Sequence, residues 1–299
     1  MQGMTSHPTP FDRFLRRARR VRACETLSEA DFLLQRAADE FQDRLAATNR
    51  HFETVLDIGA HKGLLASQLA PTLGQPPISM DVTIPMVEAA PAPRFVGDEE
   101  FLPIASESLD LVVSALTLHW VNDLPGTLLQ IRKALKPDGL FLGALFGGAT
   151  LHELRDAMLQ AEAETSGGVS PRVAPFADLK DIGHLMQRAG FALPVTDADI
   201  VTVRYDTVFH LFRDLKAMGE TSILNDRRRV PATRKLLQRT AEIYQNRFAD
   251  KDGRLPATFE ILYATGWAPH ESQQKPIRPG TAKMSLAAAL KDQEDKKGR

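Results

Sequence analysis

The residues best able to do chemistry gather around one turn, "VLDIGAHKG" at 55–63, and recur at three points further along. Asp57 closes an apolar run, Gly59, Ala60 and His61 form the turn, and Gly63 opens a second apolar run. Asp81 follows 24 residues after Asp57, Asp98 and Glu99 stand in "VGDEEFLP" at 96–103, and "SALTLHW" at 114–120 carries Ser114, His119 and Trp120. A glycine at 59 lets backbone approach a ligand with no Cβ in the way. A carboxylate placed just before such a turn repels a pyrophosphate. It suits a ligand that carries positive charge.

The dinucleotide fingerprint G-x-G-x-x-G is met only at its first position, since the other two hold His61 and Leu64. An ammonium and a sulfonium on one small molecule describe S-adenosylmethionine, with Asp57 facing its amino-acid end. Asp81 can then accept both ribose hydroxyls, Met86 can pack on the adenine, and Asp98 can accept from the adenine amino group. The candidate cofactor set is Asp57, Gly59, Ala60, His61, Gly63, Asp81, Met86, Asp98, Glu99 and Ser114. Histidine tolerates positive φ better than most residues. The turn can therefore survive at His61 with the imidazole pointing outward, or the ring can contact cofactor or substrate. His119 is the candidate base or orienter on the acceptor side, and Trp120 the candidate aromatic wall. The alternative is that Trp120 is core and His119 caps the next helix.

These residues need a scaffold that places them together. Apolar runs at 54–58, 78–82, 94–96, 109–116 and 140–146 read as strands, and helical spacing at 27–45, 64–73 and 124–135 reads as the helices between them. Ser28 is the expected cap of the first helix, Asn122 and Asp123 of the last, and "KPDG" at 136–139 reads as a turn. Alternating strands and helices give a parallel sheet covered on both faces, with ligands at the carboxyl ends of the strands. Further helices are expected at 150–164, 179–189, 207–218 and 231–249, and strands at 195–206 and 257–267. The fold class is α/β, with residues 1–50 as a basic segment and helical cap. Residues 51–267 form the main domain, with a helical lid insertion at about 207–250, and 268–299 a partly disordered tail.

The chain has 299 residues, 43% hydrophobic and 25% charged, with a formal net charge of −1. Those values are ordinary for a soluble globular protein and give no global argument for nucleic acid. A single cysteine, Cys24, excludes an internal disulfide and a multi-cysteine metal site. No apolar run reaches the roughly 18 residues of a membrane span, while peripheral membrane contact stays open. "FDRFLRRARRVRA" at 11–23 sets six arginines against one aspartate. It reads as a transit peptide, as an anionic-lipid or nucleic-acid patch, or as a solvated helix face beside Phe11, Phe14, Leu15 and Val21. No metal ligands are assigned. "HFE" at 51–53 and "LHE" at 151–153 lack the spacing of a two-histidine, one-carboxylate iron site.

"GDEEFLPIASESLDLVVSALTLHWVNDLPGTLLQIRKALKPDG", with "FGGATLHELR", "SPRVAPFADLKDIGHLMQRAGF" and "ATFEILYATGWAPHESQQKPIRPGTA", resembles the class I S-adenosylmethionine-dependent methyltransferases. Within them it is similar to the family of NADH:ubiquinone oxidoreductase complex assembly factor five and its alphaproteobacterial relatives. The resemblance runs from about Phe11 to Leu290. It implies a Rossmann-like seven-stranded sheet with an antiparallel last strand, and an early role in respiratory complex I assembly. It also implies a protein partner, a complex I iron–sulfur subunit, modified by methylation or by arginine hydroxylation. It places the basic segment inside the folded protein and favours a bacterial cytoplasmic location, peripheral to the inner membrane, or the mitochondrial matrix in a eukaryote. A carboxyl methyltransferase of biotin synthesis and a non-catalytic, cofactor-binding chaperone are the rivals.

Overall fold

The computed structural model describes residues 9–273. Residues 9–269 lie in one compact unit. Beyond them, 270–273 make a local turn in which Ser272 Oγ pairs with His270 Nδ1 at 2.7 Å. The expected tail at 268–299 falls almost wholly outside the described residues.

The chain order is α1 (Arg13–Ala23), α2 (Phe32–Ala46), β1 (Val55–Ile58), α3 (Leu64–Leu73), β2 (Ile78–Asp81), α4 (Ile84–Ala89), β3 (Arg94–Val96), β4 (Leu109–Ala115) and α5 (Leu124–Ala134). It continues with β5 (Leu135–Phe146), α6 (His152–Ser166), α7 (Leu179–Arg188), β6 (Ala192–Tyr205), α8 (Val208–Met218), α9 (Arg234–Phe248) and β7 (Leu255–Trp267). Among the described residues the strands form one seven-stranded sheet in the order β3-β2-β1-β4-β5-β7-β6. The first five are parallel, and β7 runs antiparallel between β5 and β6. This is the Rossmann-like α/β sheet of the class I methyltransferases, last strand reversed. The order switches direction beside β1, so the carboxyl ends of β1 and β4 open a crevice between them.

Alternation along the central strands builds two cores. Leu111, Val113, Leu140 and Leu142 face α2, α3, α6 and the helices between β6 and β7. Val112, Phe141 and Leu145 face α5 and α7. Burial of both sheet faces explains why β1, β4 and β5 read as continuous apolar runs.

Three local expectations are corrected. Helix α2 begins at Phe32, because 27–29 form a separate 3₁₀ turn. Ser28 therefore caps nothing, and its Oγ accepts from Lys62 Nζ at 2.9 Å. The "KPDG" turn lies inside β5: partners step from Leu109↔Leu135 to Leu111↔Leu140, so several residues bulge opposite Asp110. Asp138 takes φ 63° there, and Lys136 Nζ reaches Asp110 at 2.8 Å. Of the two expected caps for α5, Asp123 is the one used, accepting from the Gly126 N–H at 2.8 Å.

The loop after α6 is anchored from beneath. Fully buried Glu162 accepts from the Ser170 N–H at 2.8 Å and from Arg172 Nη2 at 2.7 Å. Removing one partner of a buried ion pair costs about 3–5 kcal/mol. Glu162→Ala is expected to destabilise the fold by that order, read as a lower Tm, and to expose 167–178 to limited proteolysis. Unchanged cleavage would mean that the loop is held by other contacts.

Candidate functional site

The glycine turn is built as its sequence requires. Gly59 (φ 71°) and Gly63 (φ 76°) both occupy the left-handed region. A Cβ on Gly59 would stand 2.2 Å from Thr117 Cγ2, and one on Gly63 2.3 Å from Pro91 Cδ. Neither position admits a side chain. The N–H groups of Gly59 and Ala60 both donate to Met80 O, at 2.8 and 2.9 Å, which ties the turn to β2.

His61 holds positive φ (53°), as its residue type allows, but the ring does not point outward. It is buried, with Nε2 lying 3.2 Å from both Ala115 O and Thr117 Oγ1. A carbonyl can only accept, so Nε2 carries the proton. Burial first, and Arg20 second, push its pKa down to about 3, which keeps the ring neutral. Ser114 is also turned inward, donating to Ile58 O at 2.8 Å to cross-link β4 and β1. Met86 is packed in the main core.

Helix α1 overturns the reading of the arginine segment as a solvated face. Its arginines at 13, 16, 17 and 20 share one side of the helix, on which Arg16 and Arg20 are buried, Arg13 is half-buried and Arg17 stays exposed at the edge. Arg20 pairs with Asp81 through Nη2, and both side chains are buried. Arg16 pairs with buried Glu99 at 2.9 Å. Arg13 and Arg17 both reach Asp98, the latter at 3.1 Å. The helix is inverted relative to a simple amphipath, for Phe14 is 85% exposed and Val21 is also on the surface. Asp81 is fully engaged. Oδ1 accepts from the Thr83 N–H and hydroxyl at 3.0 and 3.1 Å, and Oδ2 accepts from Arg20 and from the His61 N–H at 3.2 Å. Burial works to raise the pKa of Asp81, but the Arg20 charge and hydrogen bond hold it below the ordinary value.

Asp57 is the opposite case. Both of its carboxylate oxygens are buried without a hydrogen-bond partner. Burial, with Asp81 adding to it, pushes its pKa up to about 8 against the pull of Arg20. A buried acid in this state is one cationic donor short of satisfaction.

Beyond β4 lies a second group. His119 is buried among Trp120, Phe146 and Phe176, with ring centroids 4.7–5.2 Å from its own. Its Nε2 lies 3.0 Å from Glu220 Oε2, and Trp120 Nε1 donates to the same oxygen at 2.6 Å. Burial lowers the His119 pKa, outweighing Glu220, so the ring is neutral and donates through Nε2. Its Nδ1 is buried and unpartnered. Glu220 is placed by the end of α8. Gly219 (φ 79°) turns the chain, while the N–H groups of Gly219 and Glu220 bond to Lys216 O and Leu215 O, closing a Schellman motif.

Glu220 and Trp120 line a cavity of about 550 Å³, whose apolar wall includes Leu151, Leu154, Phe176 and Phe212. Glu220 also lines a cavity of about 10 Å³ that includes His61. It thus stands between the glycine turn and the large cavity. His119 lines neither. Glu220, Arg16 and Arg20 were missing from the sequence-based set. The signals were present: arginines at i, i+3, i+4 and i+7, and "MGE" marking the residue after a helix-ending glycine.

The chain belongs to the methyltransferase-domain family, whose model matches residues 31–194. It is 38% identical to "Arginine-hydroxylase NDUFAF5, mitochondrial" of Danio rerio, over 93% of this chain and 88% of that one. It is 40% identical to the Homo sapiens protein of the same name, over 92% and 82% of the two chains. It is also 35% identical to a malonyl-[acyl-carrier protein] O-methyltransferase of Xylella fastidiosa, over 72% and 74%. Among solved structures, a putative methyltransferase of Bacillus halodurans shares the fold, with TM-score 0.54 at 17% identity, covering 77% of this chain and 98% of that one. The cofactor of this fold family is S-adenosylmethionine.

The residues present accommodate that cofactor unequally. Unpaired Asp57 and the Cβ-free turn at Gly59 suit a cationic amino-acid end. Asp81 can receive ribose hydroxyls only in exchange for the guanidinium of Arg20, since both its oxygens are in use. Among the described residues no three His, Cys, Asp or Glu side chains converge as metal ligands.

Arg20→Met is expected to destabilise the ligand-free protein by about 3–5 kcal/mol, read as a lower Tm, because it strands Asp81. The same variant should show a larger Tm rise than wild type on adding S-adenosylmethionine. An equal or smaller rise would mean that Arg20 does not compete for Asp81. A second expectation concerns protons. At pH 7 Asp57 is mostly protonated, and pairing with an ammonium requires it to ionise. Titration calorimetry in buffers of different ionisation enthalpy should record proton release on cofactor binding in wild type, and less in Asp57→Asn.

Proposed function

We propose that this protein is an S-adenosylmethionine-binding enzyme that modifies an arginine-bearing protein substrate, an iron–sulfur subunit of respiratory complex I, during assembly of that complex. The observation that carries the reading is the placement of two buried acids: Asp57 at the glycine turn, its carboxylate oxygens without a partner, and Glu220, held by His119 and Trp120 at the wall of a 550 Å³ cavity. Similarity to the arginine-hydroxylases over nine-tenths of the chain supports the substrate class. No helix among the described residues is long and apolar enough to cross a membrane, which is compatible with action in the bacterial cytoplasm or the mitochondrial matrix beside the membrane.

In this reading Asp57 holds the cofactor's ammonium, the glycine turn from Gly59 to Gly63 lets it approach, and Asp81 accepts its ribose once Arg20 withdraws. Bound there, S-adenosylmethionine supplies an electrophilic methyl group on a sulfonium. Glu220 orients the acceptor, Trp120 forms one side of its slot, and His119 holds Glu220 in place. The aromatic cluster of Trp120, Phe146 and Phe176 excludes water around them.

A second reading, carboxyl methylation of a malonyl thioester, draws on the arginines at the cavity, Arg19, Arg172 and Arg227–229 among them, which could pair with a carboxylate. The test is the intact mass of the complex I iron–sulfur subunit from cells with and without the gene. One added oxygen on arginine identifies hydroxylation, and one methyl in place of hydrogen identifies methyl transfer. An unchanged subunit, with methyl transfer to malonyl-acyl carrier protein, would replace the first reading by the second.

A further inference from the structure

Of the six arginines at 11–23, four are spent on acids. Arg13 and Arg17 reach Asp98, Arg16 pairs with Glu99, and Arg20 pairs with Asp81. Arg19 and Arg22 are left, one turn apart on another side of α1, where that helix lies against α8. The two helices touch at Gly219, where a Cβ would lie 3.1 Å from Ala23 Cβ. Beside this crossing they part around a cavity of about 300 Å³, lined by Arg19, Arg22, Phe212, Lys216 and Thr221. Three cations line it, and no acid does.

The charge there is uncompensated. Arg19 donates through Nη1 to the carbonyls of Thr221 and Ser222, and Arg22 through Nε to Ala18 O at 3.3 Å. Carbonyls hold a guanidinium in place without neutralising it. Among the described residues, none of Arg19, Arg22 and Lys216 forms an ion pair. Asp12 is the acid whose field reaches Arg19, and it is itself taken by Arg227 at 3.1 Å. Burial pulls the Arg19 pKa down to about 10, and the nearby charges of Arg227 and Arg22 add to the fall.

A ligand that relieves this crowding needs more than one negative charge and several acceptor oxygens set in different directions. A phosphomonoester has both, being largely dianionic at neutral pH. Its oxygens accept in pairs from arginine forks, and a lysine ammonium meets it as a point charge. Thr221 adds a hydroxyl, while Phe212, edge-on to Phe209 with ring centroids 6.0 Å apart, gives an apolar wall for the stem of the ester. A carboxylate brings one charge against three.

We infer that the cavity between α1 and α8 binds a phosphomonoester, its phosphate held by Arg19, Arg22 and Lys216. Two sources carry that group: a soluble phosphate ester, and the headgroup of an acidic lipid. Phe14 and Val21, both on the surface and on one face of α1, are the apolar residues that a lipid surface would meet. Arg19 also lines the 550 Å³ cavity, whereas Arg22 and Lys216 line only the smaller one. They are therefore the residues to change.

Inorganic phosphate and glycerol 3-phosphate, titrated into the full chain and followed by phosphorus NMR line broadening, are both expected to saturate. Arg22→Gln and Lys216→Gln alter exposed side chains and should keep a near-native Tm. Each should weaken binding about fivefold or more, the loss of one charged hydrogen bond. Arg213→Gln removes an exposed α8 cation outside the cavity and should leave affinity unchanged. Cosedimentation with phosphatidylcholine vesicles carrying phosphatidate, against vesicles carrying phosphatidylglycerol at equal charge, separates the sources. Capture by phosphatidate vesicles alone, lost in Arg22→Gln and Lys216→Gln, assigns the site to a lipid headgroup. No capture, with glycerol 3-phosphate still bound, assigns it to a soluble ester. Failure of both soluble probes to saturate, an equal loss in Arg213→Gln, or unchanged affinity in Arg22→Gln and Lys216→Gln would overturn the inference.

Discussion

The buried ion pair between Arg20 and Asp81 is the contact on which the arrangement of the whole site depends. It joins the first helix of the chain to the end of β2, at the carboxyl edge of the sheet. Such a pair stabilises only while both partners are present, because each charge has been taken out of water. The same holds, one turn earlier, for Arg16 and Glu99. Helix α1 is thus held by its charges rather than by an apolar stripe, and it leaves Phe14 and Val21 on the surface.

That arrangement divides the carboxylates into two kinds. Asp81, Asp98 and Glu99 are paired with arginines, while Asp57 has no hydrogen-bond partner and Glu220 takes both of its donors on one oxygen. Asp57 answers by retaining its proton up to about pH 8. Glu220 answers by placing both donors on one oxygen. These are two different solutions to the same desolvation problem, and His61, a neutral ring tied to β4 and the loop after it, shares a small cavity with Glu220.

Strand ends place Asp57 and Asp81, and helix ends place the glycine turn and Glu220. Gly63 opens α3 in the left-handed region, and Gly219 closes α8 in the same region. Each fixes the direction in which the adjoining residue leaves the helix. Glu162, a single acid buried on α6, anchors the loop that supplies Phe176 and Arg172 to the cavity.

What the amino-acid sequence determined by itself was whatever depends on short-range pattern. Period-two and continuous apolar runs specified the strands, helical spacing the helices, and the glycines at 59 and 63 the turn, because only backbone freedom and side-chain burial are at issue there. Asp57, Asp81 and Asp98 were legible as strand-end acids for the same reason. The tertiary structure alone decided which acids have partners. Arg16 and Arg20 lie 83 and 61 residues from Glu99 and Asp81, and Glu220 lies 101 from His119. Charge compensation is a property of distance in space, and an arginine on a helix looks the same in sequence whether it meets water or a carboxylate. The inward turn of the His61 ring was hidden on the same ground, since the acceptors that draw it in, Ala115 and Thr117, belong to another strand and the loop that follows it.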